Sequence, residues 1–222
     1  MTGARAAFYD LEGTLIRTNL VHALLFYAKR QRGLRGSLSK TAVVVAGIPL
    51  FAATNFYDRR AFNDLFFRMY AGQTEDRLRF FADELFDDVL RPAIHAGALD
   101  LLRDSRERGL RQVVITGALD LSVAPLMRHL EIDEWVANRL EFVDGVATGR
   151  VLPPLIATAS KAQWMREFAR REGIDLDASW AYTDSMSDLP MLCVVGHPAA
   201  CNPDFKLRRT AADHGWPILD LS

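Results

Sequence analysis

Cysteine is scarce in this chain of 222 residues. The two present, Cys193 and Cys201, have no CxxC pairing, no histidine at ligand spacing and no secretory leader ahead of them. A disulfide-stapled fold is excluded, and both thiols are expected to be reduced, buried and cytoplasmic. Neither sign of charge is in excess, with 27 Lys and Arg against 28 Asp and Glu and a net charge of -1. Such a chain has no bulk field to gather nucleic acid or anionic membrane. The five histidines, at 22, 95, 129, 197 and 214, are scattered without ligand spacing, so no zinc site is expected. No apolar stretch reaches the roughly twenty residues that span a bilayer. The nearest is "TAVVVAGIPLFAATNFY", 41–57, which is uncharged but holds Gly47 and Pro49. It reads as a buried helix broken at the proline, with membrane contact as the weaker alternative; such a helix could also line an apolar cavity.

What is present is an alternating pattern. Four short apolar runs, "AAFYD" (6–10), "QVVIT" (112–116), "SWAYTD" (179–184) and "PILD" (217–220), each end at a polar or acidic residue. Helical patterns separate the later ones, which makes them buried parallel strands of an α/β sheet. Ligands in such sheets bind at the carboxyl ends of the strands. Between the first two strands lies a long segment rich in helical signals, about four helices. One of these, "TEDRLRFFADELFDDVLRP", is expected to be capped at Thr74 and to stop before Pro92. "LEFVDGVATGRV" (140–151) alternates around Asp144-Gly145, a hairpin signal. There is no internal repeat.

The strand ends carry the chemistry. Asp10 leaves a buried strand into a Gly-containing loop whose N–H groups can bind an anion, which suits attack on phosphorus. Glu12, two residues on, can donate a proton to a leaving oxygen and later take one from water, while Gly13 and Thr14 complete the turn. Taken alone, "DLEGT" fits a structural turn equally well. "ITGA" (115–118) offers the Thr116 hydroxyl and the Gly117 N–H to a phosphoryl oxygen just before a helix. Lys161 falls in the first turn of a helix, where a cation opposes the dipole and so needs an anion nearby. Asp184 and Asp188 bracket a strand end and suit a hard divalent cation, although such a pair also serves as a helix cap and a solvated charge.

In order and spacing, "DLEGT", "ITG", Lys161 and "DSMSD" resemble the four motifs of the haloacid dehalogenase superfamily of phosphohydrolases, over nearly the whole chain. The helical insert, the 140–151 hairpin and the terminal "CNPDFKLRR" and "HGWPIL" resemble subfamily IB, which contains the phosphoserine phosphatases. The resemblance implies a Rossmann-like α/β core with a parallel sheet, residues 1–16 and 92–222, and an inserted helical-bundle cap of the C1 type, residues 17–91. It implies a cytoplasmic phosphatase for a small or amphiphilic phosphomonoester. Asp10 would form an aspartyl-phosphate, and Mg²⁺ would be held by Asp10, the Glu12 backbone carbonyl and Asp184. Asp188 would orient Lys161 or a metal-bound water, and Thr116 and Lys161 would stabilise the transferring charge.

Two positions depart from that pattern. The family usually has Asp where this chain has Glu12, so the alternative is a weakened, noncatalytic domain that binds phosphorylated ligands. Dehalogenation, which needs neither metal nor a second carboxylate, is disfavoured by Glu12 and Asp184. Phosphoserine phosphatases carry an acidic residue for the substrate's ammonium group where this chain has Asn19. That lowers phosphoserine as a substrate unless Glu75 or Glu84 replaces it.

Overall fold

The computed structural model describes residues 3–30, 38–39, 41–47 and 59–222, with side chains at 59–62 and 64 excepted. Its centre is a seven-stranded sheet in the order β4-β3-β2-β1-β5-β6-β7. Strand β1 (Ala6–Tyr9) lies in the middle, parallel to β2 (Arg111–Leu119) on one side and β5 (Trp180–Thr183) on the other. Outward follow β3 (Glu134–Val143) beside β2, and β6 (His197–Cys201) and β7 (Ile218–Leu219) beyond β5, all parallel. β4 (Val146–Leu152) turns back antiparallel to β3 and forms the edge. Its hairpin turn is the expected one: Asp144 and Gly145 both take positive φ, 49° and 74°, the geometry that matches strand twist in a two-residue turn.

Every residue of β1 is buried, as a strand covered on both faces requires. Ala6 and Phe8 pack with Met165 and Phe168 of α8 (Ala159–Glu172) and with Leu207 and Ala211 of α10 (Phe205–His214). Ala7 and Tyr9 face the other layer, which includes α6 (Ala96–Glu107) and α7 (Asp120–His129). On that side Tyr9 stacks on Tyr182 at 5.0 Å and donates its hydroxyl to Ser105 Oγ.

Between β1 and α6 the chain is helical among the described residues. It forms α1 (Leu20–Lys29), α2 (41–47), α3 (Arg59–Arg68), α4 (Glu75–Phe80) and α5 (Ala82–Leu85), then a π turn over Phe86–Leu90. The single helix expected from Thr74 is thus broken. Phe81 takes φ -90°, ψ 0° between α4 and α5, Thr74 sits at the N-cap without a side-chain cap bond, and Pro92 is the second residue of a 3₁₀ turn, Arg91–Ala93. Proline is tolerated there because a first-turn N–H has no intrahelical partner to lose. The apolar segment 41–57 is described only over 41–47; its remainder lies outside the described residues. Even so it is not simply buried: Val44 is 1% exposed, whereas Val43 and Val45 are half exposed, because a short helix seats one stripe of side chains on its neighbours. No helix among the described residues is long and apolar enough to cross a membrane.

The chain leaves and rejoins the sheet layer at one place. Ile16 bridges Ile94 antiparallel, the Arg17 N–H donates to Ala93 O at 2.8 Å, and the His95 N–H to Leu15 O at 3.0 Å.

Candidate active site

The expected site residues come from five chain segments and meet at the carboxyl edge of the central strands. Asp10 follows β1 directly, Thr116 lies in β2, Lys161 in the first turn of α8, Asp184 just after β5, and Asp188 in the 3₁₀ turn Met186–Asp188. Lys161 is buried and donates to Asp10 Oδ1 at 2.6 Å and Asp188 Oδ2 at 2.7 Å, so the lysine that opposes a helix dipole has found two anions. Asp10 Oδ1 also accepts the Leu11 N–H at 2.8 Å. Across the site the Thr116 hydroxyl donates to Glu12 Oε2 at 2.7 Å and accepts the Ala118 N–H. The Thr14 hydroxyl donates to Asp184 Oδ1 at 3.2 Å.

Gly13 allows this crowding. Its φ is +82°, and a β-carbon there would stand 2.2 Å from Asp184 Oδ2, so the loop after β1 and the turn after β5 touch through the missing side chain.

Negative charge exceeds positive. Burial pushes Asp10 well above the ordinary carboxylate range; Lys161 pulls it back, and Asp188, Glu12 and Asp184 push it further. Burial likewise raises Glu12, against the hydrogen bond from Thr116, and lifts Asp184 to about 6. Burial opposes the charge on Lys161, and the carboxylates of Asp10 and Asp188 outweigh it and hold the ammonium above its usual value. Four carboxyl groups therefore share one lysine, and Asp188 Oδ1 is buried with no hydrogen-bond partner among the described residues. Among the described residues no three His, Cys, Asp or Glu side chains converge as a metal-ligand set, so a cation here would need a backbone oxygen among its donors.

Other expectations fare differently. Gly117 lies inside β2, two residues before its end, and its carbonyl accepts from the buried Asn138 amide at 2.8 Å. Asn19 caps α1, its side-chain oxygen taking the Val21 N–H while its own N–H donates to His22 Nδ1; it also lines a small pocket beside Glu12. Glu84 pairs with Arg30 and Glu75 with Arg79, and neither lines that pocket. Cys201 is buried, its thiol pushed up to about 12 by burial, but Cys193 is exposed. It follows α9 (Leu189–Leu192), whose Met191 and Leu192 take the core positions, so the next residue turns outward. Three positions that local pattern did not single out also support the site. Asn138 joins Gly117 to Ile156, Asn202 joins His95 and the Gly13 carbonyl to Leu221, and Tyr70 lines the pocket.

Comparison with known proteins gives the family and the fold. A probable phosphatase of Mycobacterium tuberculosis is 33% identical over 223 residues, covering 98% of this chain and 75% of the relative. A phosphoserine phosphatase of the same organism is 30% identical over 217 residues, covering 97% and 70%. The structure of a phospho-aspartyl intermediate analogue of phosphoserine phosphatase superposes with a TM-score of 0.74 at 17% identity, covering 100% of this chain and 95% of that one. The two share the α/β fold. A family model matches residues 7–193, and with that span covering most of the sheet and every expected site residue, the chain belongs to the haloacid dehalogenase-like hydrolases.

Proposed function

We propose that this chain is a Mg²⁺-dependent phosphomonoester hydrolase working through an aspartyl-phosphate on Asp10. The observation that carries the proposal is the asymmetry of the Asp10 carboxyl. Oδ1 is held by Lys161 and the Leu11 N–H, whereas Oδ2 makes no hydrogen bond among the described residues. An oxygen fixed in place by its twin, with its own lone pairs free, is a positioned nucleophile.

In the first half-reaction Asp10 Oδ2 attacks phosphorus, the ester P–O bond breaks, and Glu12 in its acid form protonates the departing alkoxide. In the second, the Glu12 carboxylate takes a proton from water as that water attacks phosphorus, which releases inorganic phosphate and frees Asp10. Burial keeps the Glu12 acid form populated above the ordinary carboxylate range, as the first step needs. Lys161, and the Thr116 hydroxyl turned from Glu12, would hold phosphoryl oxygens together with the Gly117 N–H.

The donor set fits Mg²⁺: it is all oxygen, it carries more carboxyl than lysine charge, and it contains the orphaned Asp188 Oδ1. Asp10, the Glu12 carbonyl and Asp184 would hold the ion, with Asp188 beside it. When bound it would offset the repulsion between an anionic nucleophile and a phosphate dianion. Residues 17–91 are proposed as a cap over a core of 1–16 and 92–222, which the shared exit and return point at Ile16 and Ile94 supports.

Release of phosphate from p-nitrophenyl phosphate, with and without Mg²⁺, tests this against Asp10→Asn. Turnover should require Mg²⁺ and fall to background in the variant. Equal turnover by Asp10→Asn would refute the mechanism, and Mg²⁺ and phosphate that stabilise the protein without any turnover would point to a ligand-binding domain.

A further inference from the structure

We propose that Asn138 is a positioning residue for phosphoryl transfer, holding the Thr116 hydroxyl and the start of the Lys161 helix in one fixed relation; this rests on the phosphatase reading above. Asn138 lies in β3, 1% exposed, and its side chain bonds backbone groups of Gly117 and Ile156. Its amide nitrogen donates to Gly117 O at 2.8 Å and to Ile156 O at 3.0 Å, while Oδ1 accepts the Ile156 N–H at 2.8 Å. The reverse orientation of the amide would set its oxygen against two carbonyls, so the partners fix which way it points.

The first partner lies where the sheet ladder is interrupted. Ile115 pairs with Val136 and Leu119 with Asn138, so Thr116, Gly117 and Ala118 of β2 stand opposite Ala137 alone. Such a bulge re-aims side chains and leaves backbone groups outside the ladder. The Asn138 amide takes up the Gly117 carbonyl there. The N–H of the same peptide unit, that of Ala118, donates to Thr116 Oγ at 3.0 Å, and the Thr116 hydroxyl donates to Glu12 Oε2 at 2.7 Å. A directed chain thus runs from the Asn138 amide through the Gly117–Ala118 peptide to the Thr116 hydroxyl and the Glu12 carboxyl, and each bond polarises the next. With one lone pair of Thr116 Oγ engaged, its hydrogen is aimed across the site.

The second partner opens the segment that leads to Lys161. Ser160 Oγ accepts the Ala157 N–H at 2.8 Å and donates to Leu155 O at 2.7 Å, and the Lys161 N–H donates to Thr158 O at 3.1 Å. Thr158 takes φ +43°, a left-handed conformation that a β-branched residue keeps only when its surroundings impose it. Asn138 grips Ile156, two residues before that strained point, through both its N–H and its carbonyl. The two phosphoryl-binding groups come from different segments, and Asn138 spans the gap between them.

The test sets Asn138→Asp beside Ser179→Ala. The aspartate keeps the size of the side chain and an acceptor for the Ile156 N–H, but turns a carboxylate oxygen toward two carbonyls. Ser179 is a buried clamp of the same sort at the amino ends of the strands, its Oγ accepting the Ala6 N–H at 3.0 Å and donating to Asp175 O at 2.6 Å. Both variants should melt at a lower temperature than the unaltered protein. Only Asn138→Asp should lose about a hundredfold in kcat/KM for p-nitrophenyl phosphate, with inhibition by orthovanadate weakened by at least about tenfold. Its half-maximal Mg²⁺ concentration should stay within about twofold, because the Asp10 and Asp184 carboxyls are held by other partners. Should Asn138→Asp not fold, Asn138→Ser, which brings no charge to the carbonyls, is held to the same criteria. Turnover by Asn138→Asp within about threefold of the unaltered protein, an equal loss in Ser179→Ala, or a fall in kcat with vanadate inhibition unchanged would overturn the inference and leave the phosphatase reading standing. No turnover by the unaltered protein would overturn both.

Discussion

Replacing Gly13 by alanine should disable the site out of proportion to its effect on the fold. Two costs can be separated. The first is conformational: Gly13 sits at φ +82°, where a residue with a β-carbon loses about 1–2 kcal/mol. For a chain of this size that lowers Tm by about 2–8 °C. The second is contact. The new β-carbon would lie 2.2 Å from Asp184 Oδ2, whereas ordinary contact begins at 3.4 Å, so the carboxylate must retreat by 3.4 minus 2.2, or 1.2 Å. It would retreat from the Thr14 hydroxyl as well. A shift of about 1 Å in a reacting constellation can cost about a hundredfold in rate. Gly145→Ala provides the control, since that glycine has φ +74° with nothing within 4 Å of the added carbon. Both variants should lose similar thermal stability, but only Gly13→Ala should lose about a hundredfold in Mg²⁺-dependent kcat/KM and need more Mg²⁺ for half-maximal rate. Turnover by Gly13→Ala within threefold of the unaltered protein, or an equal loss in Gly145→Ala, would refute the contact argument.

Asp184→Asn should stabilise the metal-free protein at pH 7.5 and leave it unchanged near pH 3.5. The folded carboxyl is raised to about 6 from 3.8, so its contribution is present below pH 3.8 and lost as pH rises through about 6. Added Mg²⁺ should reverse the order at pH 7.5, because only the aspartate gains from the cation; thermal melts at both pH values, with and without Mg²⁺, check both statements. Native protein should react with one equivalent of a thiol reagent at pH 8 through Cys193, with Cys201 reacting only after denaturation. Two fast equivalents would mean that β6 opens readily.

Local pattern reached the strands whose residues announce themselves. β1, β2 and β5 are apolar runs ending at a polar residue, and the β3–β4 hairpin turns at a dipeptide that favours positive φ. β6 escaped because "HPAAC" has no β-branched or aromatic residue and contains a proline; its place comes from registry with β5 and β7. The break at Phe81 escaped because the sequence from 75 to 91 is helix-favouring throughout, and the division appears only as the π and 3₁₀ turns bring the chain back to Ile94.

The site shows the same limit in its polar contacts. Residue type and position made Asp10, Glu12, Thr116, Lys161, Asp184 and Asp188 candidates, and the resemblance in the order of their motifs gave them roles, although Thr116 lies inside β2 and not at its end. Which of them touch was not accessible, since the contacts join residues 27 to 170 positions apart. Glu12 shows what this hides. Read locally, its additional methylene looks like a misplacement of the proton donor relative to Asp10. In the fold the longer side chain meets the Thr116 hydroxyl at 2.7 Å, so the residue is held from across the sheet and not by its own loop alone. The extra length then becomes a defined position in the substrate-free site, and the departure from aspartate is compatible with proton transfer because the longer carboxyl starts from one place when the Thr116 hydroxyl turns to the phosphoryl group.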